Sequence, residues 1–235
     1  MMHFGCATRL ISAFMSPAYD LHMICAPMNK AMIQKTLPSS APSAPPADVS
    51  PSAADWPPRL DLPALPLGVR IVARTRSHQT ATENLAARLL GPGRHVRAAA
   101  MLREGQEEPR GLGRAALDRR GRLLGSVAFW PIHIGAHPGW LLGPLLVDPA
   151  HEGRGIGGHL VQAGVSGLPP PHLVLLVGDV AYYEPLGFRA LGFQALKLDL
   201  PAPVDKARLL VCAPPDFALA ELEGRVRAGP HQDGA

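Results

Sequence analysis

Aromatic residues are scarce in this chain: Phe, Trp and Tyr together make up 5% of 235 residues. No basic stretch is interleaved with stacking rings, so a nucleic-acid groove is not expected. Cysteine is as sparse. Cys6, Cys25 and Cys212 include no metal-type pair and no disulfide framework. They read as reduced thiols, with Cys212 an inert core residue. No segment offers about 18 consecutive apolar residues, so no membrane span is predicted. Residues 1–37 lack the clean apolar stretch of a secretion signal. A cytoplasmic location is the expectation. Charge is modest, with 18% charged residues and a formal net charge of +4. A diffuse positive field of this size suits a small polyanionic ligand. His133 and His137 have a four-residue spacing, but Pro131, Gly135 and Pro138 argue against a helix that would bring them together. No metal site is expected.

Hydrophobic residues are plentiful, at 47%, and a core is within reach. The 26 prolines are unevenly spread. Residues 38–66 are rich in Pro, Ala and Ser, a composition that cannot bury enough apolar surface to offset ordering. Six of the seven methionines (Met1, Met2, Met15, Met23, Met28 and Met32) precede that stretch. The expectation is that translation begins near Met28 or Met32. Residues 1–67 are therefore read as an extension and linker, 68–224 as the folded domain, and 225–235 as a frayed tail.

Within the domain, Val69–Ala73 reads as a strand and Thr80–Leu90 as a helix stopped by Gly91-Pro92-Gly93. Arg94–Arg103 reads as a second helix. A hairpin follows, from Leu112–Leu117 through Asp118-Arg119-Arg120-Gly121 to Leu123–Trp130. Leu141–Val147 and His172–Val177 are apolar runs of strand length, with a helix from Gly155 to about Val165 between them. Asp179 is placed to cap a short helix, Val180–Leu186, that Gly187 ends. Phe193–Leu200 reads as a further strand, and Leu209–Val211 is a last apolar run. Strands and helices alternate only in the middle, which points to an α/β or α+β mixed sheet.

The most informative segment joins the Leu141–Val147 strand to the following helix. Asp148-Pro149-Ala150-His151 leads into Glu152-Gly153-Arg154-Gly155-Ile156-Gly157-Gly158. Glycines let backbone turn tightly and approach a ligand closely. The unpaired N–H groups of a first helical turn then face negative charge. The alternative is a tight strand-to-helix turn that binds nothing. Gly153, Gly155 and Gly158 also fit the dinucleotide pattern, with Asp179 about twenty residues further on. Two features weigh against a dinucleotide domain. Five residues separate strand end from first glycine, and a hairpin precedes the strand.

Val147-Asp148-Pro149 is followed by Glu152-Gly153-Arg154-Gly155-Ile156-Gly157, and a second motif, Tyr183-Glu184-Pro185-Leu186-Gly187-Phe188, comes one helix and one strand later. Both in this order resemble the GNAT superfamily of acyl-CoA-dependent N-acetyltransferases. More narrowly, Gly143-Pro144-Leu145-Leu146-Val147-Asp148-Pro149 and Leu176-Val177-Gly178-Asp179-x-x-Tyr182-Tyr183 resemble its YhbS-like branch. The resemblance covers about residues 69–200. It implies a mixed, mostly antiparallel sheet flanked by helices, with two central splayed parallel strands, here Leu141–Val147 and His172–Val177. It implies acetyl-CoA as co-substrate, held by Leu145, Leu146, Val147 and the loop from Glu152, Gly153, Arg154, Gly155, Ile156 and Gly157 to Gly158. It implies direct attack by a primary amine, small-molecule or peptide, in a ternary complex. Backbone N–H groups near Leu146–Val147 would polarise the thioester carbonyl, and Tyr183 would protonate the departing thiolate. Tyr182 is read as a core ring or a cleft residue.

The resemblance is incomplete. Glu152 stands where relatives carry Gln or Arg, and would repel pyrophosphate if it pointed inward. No base is assigned: Glu184, Asp179, His133, His137 and a water chain are the candidates. A non-catalytic acyl-CoA-binding sensor fits the same residues. A homodimer is compatible with either reading.

Overall fold

The computed structural model describes residues 56–57 and 60–229. The expected translation start near Met28 or Met32, and most of the Pro/Ala/Ser-rich stretch, lie outside the described residues. So does the end of the expected tail, from Pro230.

The sheet begins with β1 (Arg70–Ala73) against β2 (Arg114–Leu117), with α1 (Gln79–Leu90) and a one-turn α2 (Ala98–Met101) between them. β2 pairs antiparallel with β3 (Leu123–Ile134), and β3 with β4 (His137–Val147). After β4 come α3 (Ile156–Val165), β5 (Val174–Val177) and α4 (Val180–Tyr183). Short strands β6 (Arg189–Ala190), β7 (Leu198–Asp199), β8 (Leu209–Cys212) and β9 (Gly224–Ala228) complete the chain. The order is β1-β2-β3-β4-β5-β8-β6, and β9 pairs with both β3 and β7. The sheet is mostly antiparallel; β4–β5 and the short β7–β9 contact run parallel. The mixed, largely antiparallel architecture anticipated from the motifs is the one found.

Both faces of the central strands are buried, which explains their unbroken apolar runs. Trp140, Leu142, Val174, Leu176, Leu210 and Cys212 enter one core with α3. The alternate residues Leu141, Leu175, Leu209 and Val211 enter the opposite core. This is the two-residue period of a strand expressed on both sides.

Four expectations are corrected. The second helix, expected over Arg94–Arg103, is a 3-10 turn at Pro92–Val96 and then only Ala98–Met101, because Arg97 is extended (φ −81°, ψ 147°). Phe193–Leu200 is not a strand. Gly192–Lys197 forms 3-10 turns that leave Phe193 and Leu196 exposed, and only Leu198–Asp199 pairs. The tail expected to fray from residue 225 is β9 as far as Ala228, where Val226 is buried opposite Ile134. The folded unit also starts before residue 68: Leu60, Leu62 and Leu65 pack against the main core.

Candidate functional site

Parallel pairing of β4 with β5 is confined to Trp140–Val174 and Leu141–Leu175, although both strands continue. The interruption begins in β4 itself. Across the β3–β4 ladder, Phe129 faces Leu142 but Val127 faces Leu145, so Gly143 and Pro144 together oppose Ala128. Such a bulge bends its strand, and Pro144 has no N–H to give to a ladder. The Trp130 indole N–H donates to the Gly143 carbonyl at 2.8 Å and holds the bulge in place. Past it, Leu145–Val147 run free of β5 and form one wall of a cavity of about 270 Å³.

The opposite wall is the start of α3. Asp148 accepts from the Ala150 N–H at 3.1 Å and makes a short turn at Pro149–His151. Arg88 on α1 reaches the same carboxylate at 3.0 Å. Burial alone would raise Asp148, but these bonds outweigh it and hold the carboxyl below its ordinary range. α3 then starts from Gly155 in a left-handed conformation (φ +76°), with no side chain capping its first N–H groups. Gly153 is also left-handed, at φ +71°. Glycine is the residue that adopts this conformation without steric cost. Uncapped N–H groups at a helix start, opening on a cavity, make an anion site.

Nine of the eleven residues anticipated for the site meet at this cavity. They are Leu145, Leu146 and Val147 on the strand, then Glu152, Gly153, Gly155, Ile156, Gly157 and Gly158 on the loop and helix. Arg154 and Tyr183 are not on its wall. Tyr183 is 2% exposed and lies in the core, edge-on to Phe188 at 5.6 Å and to Tyr182 at 4.9 Å. Tyr182 lines the cavity, and its hydroxyl rests where a Cβ on Gly157 would stand. Asp179 accepts from the Tyr182 N–H at 3.3 Å and caps α4, the structural role its position suggested. Leu62, Leu89, Leu90 and Leu186, none of them anticipated as site residues, add an apolar rim. Leu89 and Leu90 carried the helical apolar spacing of α1; Leu62 carried no signal at all.

Glu152 lines the cavity. Burial, then the charge of Asp148, pushes its carboxyl above the ordinary range. His133 and His137 lie on the facing strands β3 and β4. Among the described residues, no group of three His, Cys, Asp or Glu is gathered as metal ligands. No helix among them is long and apolar enough to cross a membrane.

Comparison with known proteins identifies the domain that carries this cavity. Residues 74–188 match the acetyltransferase (GNAT) family. An uncharacterized N-acetyltransferase of Escherichia coli, YhbS, is 33% identical over 94 residues. That alignment spans 38% of this chain and 56% of the relative's length. The crystal structure of E. coli YhbS in complex with CoA superposes with a TM-score of 0.56 at 25% identity, over 71% of this chain and 92% of that one. A GNAT family acetyltransferase from Brucella melitensis, in complex with acetyl-CoA, gives 0.47 at 23% identity, over 68% and 96%. Residues 74–188 are thus a GNAT acetyltransferase domain.

Proposed function

We propose that the chain transfers an acetyl group from acetyl-CoA to a primary amine. The observation that carries this reading is the uncapped, glycine-built start of α3 beside a strand that has parted from its neighbour. The residues present fit the co-substrate in two respects. The N–H groups from Gly155 onward can hold a pyrophosphate, and the leucine-rich cavity beyond them suits an uncharged thioester arm.

In this reading the loop Glu152–Gly158 binds the phosphates mainly through backbone. Arg154 stands off the cavity wall and can contribute only from outside it. Leu145, Leu146 and Val147 flank the arm, and their backbone polarises the carbonyl under attack. The acceptor amine enters a ternary complex and attacks directly. Tyr183 is the proposed proton donor to the leaving sulfur. Its ring packs on Gly178, immediately after β5, the limb of the fork facing Leu145–Val147. Tyr182, edge-on to it, lines the cavity and is the competing candidate.

Titration calorimetry with coenzyme A and with NAD tests the binding half of the proposal. Coenzyme A should bind and NAD should not. The reverse would favour the dinucleotide pattern Gly153, Gly155, Gly158. Binding without turnover would favour a sensor.

A further inference from the structure

Residues 60–66 form no helix or strand, yet the segment is fastened down. Leu60, Leu62 and Leu65 pack on the main core. The Pro63 carbonyl lies 2.8 Å from His159 Nε2 on α3. Pro63 also sits directly on the glycine loop: a Cβ on Gly155 would come within 2.8 Å of its Cγ. Leu62 enters the gap between α3 and the turn Glu184–Leu186. A Cβ on Gly158 would lie 2.9 Å from Leu62 Cδ2 and 3.3 Å from Leu186 Cδ2. Leu62 is itself part of the cavity wall. The bare surface that Gly155 and Gly158 expose is therefore covered by the chain's own N-terminal segment.

We propose that residues 60–66 are an intramolecular strap that covers the coenzyme end of the site and must lift before coenzyme A binds. This rests on the coenzyme A reading given above. Leu62 and Pro63 occupy the surface of two of the glycines that a bulky diphosphate would approach, so the strap and the ligand compete for it. The attachment is also of a kind that can open. Beyond the Val69 N–H to Pro66 carbonyl bond at its end, it consists of apolar contacts and one hydrogen bond from the His159 imidazole to the Pro63 carbonyl, with no strand pairing. Its leucines are only partly buried, and segments with little fully buried apolar contact open at low cost. The cavity left under the strap, about 270 Å³, is below the roughly 300–1,000 Å³ usual for small-molecule sites.

The full-length chain and its Leu62→Ser and His159→Ala variants are titrated with coenzyme A, with amide exchange followed at residues 60–66. A strap closed roughly nine-tenths of the time weakens apparent affinity about tenfold. Loosening it should tighten binding by up to about that factor, and coenzyme A should raise exchange at 60–66 in the unsubstituted chain. Weaker binding in both variants, or protection of 60–66 by coenzyme A, would overturn the strap and make the segment a fixed wall of the site. Equal affinity in all three chains would overturn it and leave the coenzyme A reading standing. No binding in any of them would overturn both.

Discussion

The Tyr182 hydroxyl rests against Gly157 on the first turn of α3, in the space that any larger residue's Cβ would fill. This one contact ties α4, which leads into the second motif, to the first, because Tyr182 comes from α4 and Gly157 from the loop's helix. Gly157→Ala should therefore push the Tyr182 ring and narrow the site. Coenzyme A affinity should fall roughly five- to 150-fold, the scale of a misfit worth about 1–3 kcal/mol. Gly153→Ala is the contrast. A Cβ there meets nothing, so the cost is backbone strain at φ +71°. It should lower the melting temperature slightly and leave binding nearly intact. Calorimetry and thermal denaturation of both variants check the pair.

Tyr183→Phe keeps a buried ring and its edge-on contacts while removing the hydroxyl. If Tyr183 donates the proton, kcat falls about 10²–10⁴-fold with little change in coenzyme A affinity. Tyr182→Phe should then affect binding more than kcat, because that hydroxyl touches Gly157 of the glycine loop proposed to hold the phosphates. The opposite split in steady-state kinetics would transfer the acid role to Tyr182.

Glu152 gives the site a pH signature. Its carboxyl titrates above the ordinary range, chiefly through burial and then through Asp148. Above that raised pKa it is charged and would oppose phosphates held by the loop as proposed. As pH falls through it, the repulsion disappears. Coenzyme A should bind Glu152→Gln more tightly than the unsubstituted chain at neutral pH, and the two affinities should converge at acidic pH. Equal affinities at neutral pH would mean that the carboxylate points away from the ligand.

Cys212 is buried on β8, and burial pushes its thiol up to about 12. Thiolate, not thiol, is the reactive form. In a chain with Cys6→Ser and Cys25→Ser, a thiol reagent should label Cys212 only after denaturation. Rapid labelling of the folded chain would contradict the packing assigned to β8.

The central elements were legible because their signals are local. Gly155 and Gly157 are required by a conformation and by a contact, and Leu141 and Leu175 sit in apolar runs that only a doubly covered strand tolerates. Other features depend on distant partners. β9 is a strand because Val226 meets Ile134, and nothing near residue 226 announces that pairing. Phe193 and Leu196 have strand composition but no strand to join, so they turn outward. Leu62 stands in proline-rich sequence whose composition argues for disorder, and its place was set by a gap between α3 and residues 184–186. The bulge at Gly143-Pro144, which opens the cleft, is visible only in the register of β3 against β4. The sequence points to Tyr183 for the site and leaves Tyr182 as a core or cleft ring; it is Tyr182 that faces the cavity, because only the three-dimensional packing decides which of two adjacent rings turns inward.

The most direct test of the account is release of free thiol from acetyl-CoA by the purified chain, measured against a panel of small-molecule and peptide amines. The account predicts release that depends on at least one amine and is diminished by Gly157→Ala and by Tyr183→Phe. Coenzyme A binding with no amine-dependent release across the panel would contradict it, and would make the glycine loop the site of a sensor.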